Sequence, residues 1–170
     1  MENRVNKVAE SGIITLDLEQ FFPQTRIVSF DLKPFLFMGL ILKEKEFRQQ
    51  LKELDLAPYK DVLVAVHCSA DAIIPQWAYM LVASLLQPGA SDVLFGNEQD
   101  VETILLLRAI EQTDARVYEN QRVVVKGCGD RKIPDAAYLN ITNKLRPVAK
   151  SIMFGEPCST VPVYKQKTTT

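Results

Sequence analysis

At 170 residues the chain can bury a core without disulfide staples and is read as one domain spanning 1–170. Its formal net charge of −1 leaves no electrostatic footprint for DNA, RNA or acidic lipid, so neither nucleic acid nor membrane is expected as a partner. Three cysteines form no even disulfide set, and a single histidine excludes chemistry that needs two imidazoles.

Residues 1–10 and 165–170 are polar and read as loose ends. The opening heptapeptide has no apolar core and no cleavage site for a secretory signal, which with the odd cysteine count predicts a reducing, cytoplasmic setting. Residues 13–22 (IITLDLEQFF) and 26–32 (RIVSFDL) alternate apolar and polar residues, the strand period, and Pro23 and Pro34 close them. Residues 44–54 place Phe47, Leu51 and Leu54 at helical spacing. From Asp61 the rhythm becomes strand, helix, strand, helix. Strands are predicted at 62–66, 93–95, 123–125 and 151–154. Helices are predicted at 75–86, 98–111 and 134–145, the second using Val101, Ile104, Leu105 and Ala109 as its inner face. The uncharged run 72–91 carries too few strongly apolar residues to span a bilayer, which takes roughly 20. The fold class is therefore α/β, a three-layer domain with a mostly parallel sheet and added N-terminal strands.

An internal repeat runs through the second half. Pro75, Ala78, Tyr79, Leu86, Pro88, Ala90, Phe95 and Gly96 match Pro134, Ala137, Tyr138, Leu145, Pro147, Ala149, Phe154 and Gly155 at a constant offset of 59. The repeat units are about 61–97 and 121–158, and one extra loop residue would place Cys68 opposite Cys128. Two such βαβ halves often set their first strands side by side, with ligands bound beyond the strand C-terminal ends. Here those ends carry Cys68 and Cys128, about 4.8 Å apart if the strands are neighbours. Cys158 follows the last strand.

Three strand-end thiols could hold zinc or an iron–sulfur cluster. Candidates for a fourth ligand or a supporting role are His67, Asp71, Asp130 and Glu156. His67, next to Cys68 on a strand, points to the opposite face, and capping of the helices near Pro75 and Pro134 is the default role of Asp71 and Asp130. No tight C-x-x-C pair is present, and no glycine-rich nucleotide loop. Alternatively, a helix N-terminus could lower the pKa of Cys68 or Cys128 and make a nucleophile or sulfur carrier, with Lys126, Arg131 and Lys132 binding an anion. Trp77, Tyr79 and Tyr138 sit at core spacing.

The stretches CSADAIIPQWAYMLVAS (68–84), KGC (126–128) and PVAKSIMFGEPCSTVP (147–162) resemble an uncharacterised bacterial family, domain of unknown function 2480, over nearly the whole chain. The resemblance implies no activity. It does imply an association with iron–sulfur assembly, and hence protein partners from that process. Three readings stand: a metal- or cluster-binding accessory protein using Cys68, Cys128 and Cys158; a thiol-dependent enzyme or sulfur carrier; and a non-catalytic binding module. Whether the chain is an enzyme, and whether it forms a homo-oligomer, stays open.

Overall fold

Leu63–His67 (β3) reads Leu-Val-Ala-Val-His, and its first four residues are buried. A strand that is apolar on both faces belongs in the middle of a parallel sheet, and β3 lies between Ile27–Asp31 (β2) and Asp92–Phe95 (β4), parallel to both. Arg122–Val125 (β5) is the same kind of strand, parallel to Ile13–Leu16 (β1) on one side and Ser151–Glu156 (β6) on the other. A final strand, Ser159–Lys165 (β7), pairs antiparallel with β6 and carries Pro162 at a sheet edge, where a missing N–H is tolerated.

These strands form two sheets, β2-β3-β4 and β1-β5-β6-β7. In this computed structural model, which describes residues 12–127, 129–156 and 158–167, the chain divides into two compact units. Pro23–Ile104 forms one, and Met1–Phe22 with Leu105–Thr170 the other. The expectation that the two halves share one sheet with β3 beside β5 is thereby corrected. Each parallel strand finds its neighbours within its own unit.

The helices among the described residues are Glu44–Lys52 (α1), Gln76–Leu86 (α2), Glu98–Gln112 (α3) and Asp135–Leu145 (α4). In one unit α1 and α2 bury Phe47, Leu51, Ala78, Val82 and Leu86 against Phe30, Val64 and Val66. In the other, α3 and α4 bury Leu106, Ile110, Ala137, Ile141 and Leu145 against Leu16, Val123, Val125 and Ile152. The expected inner face of α3 holds only at Val101. Its fully buried residues are Val101, Leu106 and Ile110, because apolar residues on every side left the period no face to select. No helix among the described residues is long and apolar enough to cross a membrane.

The duplication is deeper than the matching letters. β3 and β5, β4 and β6, and α2 and α4 all correspond at 59 residues, and so do their strand registers: Val66 pairs with Phe95 as Val125 pairs with Phe154. Asp61 and Asn120 hold matching left-handed conformations, φ 57° and 56°. The same offset joins Phe47 to Leu106 and Leu51 to Ile110, so α1 corresponds to the second half of α3. Thr15-Leu16-Asp17-Leu18 matches Ser29-Phe30-Asp31-Leu32 at an offset of 14. One unit's first strand therefore precedes the entire other unit, Pro23–Ile104, whose end falls inside α3. Residues 17–22, expected to continue β1, instead include a 3-10 turn, Leu18–Phe21, started by Asp17. Lys165, expected in the loose tail, ends β7.

Candidate functional site

In both units an aspartate at the end of the first strand accepts the backbone N–H two residues on, and Asp17 thereby caps the 3-10 turn Leu18–Phe21. Asp17 Oδ1 accepts the Glu19 N–H at 3.0 Å, and Asp31 Oδ1 accepts that of Lys33 at 3.0 Å. Each also reaches across to the residues that follow the neighbouring strand, but the partners differ.

After β2 and β3, Asp31 accepts the Ser69 N–H at 2.9 Å and the Ser69 hydroxyl at 2.5 Å. Burial pushes this carboxyl up, yet the hydrogen bonds from Ser69 and Lys33, helped by His67, prevail and hold it below the ordinary value. Ser29 Oγ lies 2.8 Å from His67 Nε2, so the one imidazole is tied to its own sheet. Cys68 is half-buried, with its Sγ 3.6 Å from the Ala70 carbonyl. Tyr79, raised by burial and then by Cys68, stacks edge-on against Phe95.

After β1 and β5, Lys126 Nζ donates to Asp17 Oδ2 at 2.7 Å. That bond is the main cause of a lowered Asp17 and a raised Lys126. Glu19 Oε1 accepts the Arg131 N–H at 2.8 Å, fastening the loop that follows β5 to the turn that follows β1. The Arg131 guanidinium lies 3.6 Å from the Phe22 ring centre. Glycines permit this closeness: a Cβ on Gly129 would stand 1.9 Å from Glu19 Oε1, and one on Gly127 would stand 2.7 Å from the Phe154 ring. Between these segments a cavity of about 310 Å³ is lined by Asp17, Glu19, Lys126, Gly127, Gly129, Arg131, Lys132, Ile133 and Tyr138. It occupies the C-terminal rim of parallel strands, where open α/β sheets bind ligands.

The expected cysteine site fares differently. Cys68 and Cys158 belong to different compact units; Cys158 is exposed between β6 and β7, and Cys128 lies outside the described residues. Because β3 and β5 are in separate sheets, neighbouring-strand geometry no longer sets two thiols 4.8 Å apart. Equal loop lengths at an offset of 59 place Gly127, rather than Cys128, opposite Cys68, which removes the expected extra residue. Among the described residues no three His, Cys, Asp or Glu side chains are arranged to hold a metal. Asp71 and Asp130 are exposed and cap nothing: Pro75 and Pro134 take the N-cap positions of α2 and α4 with no side-chain cap bond. Glu156 adds its charge to the surroundings of Lys126, and its Oε1 is buried without a hydrogen-bond partner among the described residues.

The sequence reading missed Ser29, Asp31, Asp17 and Glu19. The repeated Leu-Asp-Leu and Phe-Asp-Leu segments were the available signal for both aspartates. Trp77, Tyr79 and Tyr138 pack as expected, the last edge-on against Phe154 in the same geometry as Tyr79 on Phe95.

No curated protein and no solved structure matches this chain. A family model described as a protein of unknown function, DUF2480, matches residues 2–166, and the chain belongs to that family.

Proposed function

We propose that the chain is a thiol-dependent protein working through Cys128, either as an enzyme nucleophile or as a sulfur carrier. One observation supports this reading: the cavity at the rim of β1 and β5 is lined by Gly127 and Gly129, the two residues that flank Cys128 in the chain. Lys126, Arg131 and Lys132 contribute cationic groups to its lining. The two carboxylates there are engaged, Asp17 by Lys126 and Glu19 by the Arg131 N–H. Cationic groups near a thiol favour the thiolate, which is the attacking species. Tyr138, on α4, borders the same space.

Exposed Cys158 is the internal control. Labelling with limiting iodoacetamide at pH 7, followed by peptide mapping, should modify Cys128 at least tenfold faster than Cys158. Labelling of Cys128 at or below the Cys158 rate removes the proposal. Zinc and iron are measured first on protein purified without air. A stoichiometric metal or cluster that shields the cysteines would favour Cys68, Cys128 and Cys158 as ligands, with His67, Asp71, Asp130 or Glu156 in support, and partners in iron–sulfur assembly.

A further inference from the structure

The face of the β1-β5-β6-β7 sheet turned away from α4 carries a second cavity, lined by neither of the described cysteines. Ile13, Arg122, Ser151 and Lys165 form one register row across the four strands. The next row contains Val123 and Ile152, which pack in the core beneath α4. Side chains alternate along a strand, so the first row faces away from α4. There it borders a cavity of about 620 Å³, within the range of ligand pockets. Ile13, Met153 and Pro162 supply apolar surface. Arg122, Lys150, Lys165 and Lys167 supply four cations, and among the described residues no carboxylate lines the space. The Gln166 N–H donates to the Lys150 carbonyl at 2.9 Å, which keeps the two basic segments together.

We propose that this cavity binds a small organic anion with an apolar body, the carboxylate or phosphate end meeting the basic rim and the hydrocarbon lying on Ile13, Met153 and Pro162. Like charges gathered around apolar surface repel one another, and an anionic amphiphile relieves that repulsion while covering the surface.

Calorimetric titration of the whole chain with dodecanoate tests this. Saturable one-to-one binding is expected, weakening several-fold between 50 and 500 mM salt as screening shortens its reach. The paired substitution Arg122→Glu and Lys165→Glu should weaken it at least tenfold, whereas Lys52→Glu, on an exposed face of α1, should leave it unchanged. Circular dichroism and the melting temperature establish that both variants stay folded. Decanol should bind at least tenfold more weakly, and so should inorganic phosphate alone. Equal binding of decanol, equal binding by the charge-reversed variant, or no saturable binding of dodecanoate overturns the proposal.

Discussion

Replacing Gly129 by alanine should change sign with the residue at position 19. The Gly129 backbone is outside the left-handed region, so alanine fits its conformation and would alone stabilise by about 0.4–1 kcal/mol, through the unfolded chain. In the native protein, however, the new methyl would sit 1.9 Å from Glu19 Oε1, and the carboxylate must leave. Its hydrogen bond from the Arg131 N–H is then lost, about 1.5–3 kcal/mol for a bond to a charged group, and nearer the lower end for a half-buried Glu19. The expected net effect is a loss of roughly 1–2 kcal/mol. In a Glu19→Ala background nothing blocks the methyl, and the same substitution should stabilise by up to about 1 kcal/mol. Urea denaturation of the four proteins closes the cycle, with unchanged m-values required for the comparison. If Gly129→Ala has the same sign and size in both backgrounds, the Glu19 carboxylate does not anchor this loop and the cavity wall described above is wrong.

The corresponding core residues Phe47 and Leu106 should behave alike, each costing about 2–5 kcal/mol when cut to alanine and measured by urea denaturation. A cost below about 1 kcal/mol for either would refute their equivalence as core anchors. Gly155→Ala should cost at least 1–3 kcal/mol, because φ is 121° and a Cβ would stand 2.5 Å from the Ser159 carbonyl oxygen; an unshifted melting temperature would contradict this. Lys126 lowers the Asp17 carboxyl, so the aspartate's stabilisation is present above about pH 4 and is lost as pH falls through the folded value. Lys126, raised by the same contact, contributes below about pH 10.4 and loses its share as pH rises through its folded value. Asp17→Asn should therefore flatten the stability profile below about pH 4, and an unchanged acid limb would count against the pair.

Where burial wrote a clear period, the sequence could be read. The β3 run and the repeated Ala78, Leu86, Ala137 and Leu145 lie in packed positions, and packing restricts which residues can stand there. The division into two sheets was not legible. A parallel strand specifies that it needs neighbours on both sides without naming them, and β1, the partner of β5, lies more than a hundred residues earlier. β7 was missed because its period is broken at Pro162 and by a register shift against Ile152 and Met153. The rim failed for another reason. Cysteines attract notice in any chain, whereas Asp17 and Glu19 become informative only once β1 is known to lie beside β5.

Comparing the two rims separates scaffold from specialisation. Both keep the aspartate, its bond from the N–H two residues on and a tyrosine edge-on to a phenylalanine, although the rest of the loop sequences differ. These shared features hold the strand-to-helix loop and require no ligand. What differs is His67 against Lys126, Ser29 against Thr15, and Cys68 against Gly127. The last pair has a visible steric consequence. Gly127 leaves room for the Phe154 ring within 2.7 Å of an added Cβ, and that ring is 39% exposed. Its counterpart Phe95, opposite a residue that has a side chain, is 69% exposed. Gly127→Cys should thus drive Phe154 outward as Phe95 is, and a ring that keeps its place would show that something other than position 127 sets the difference between the rims.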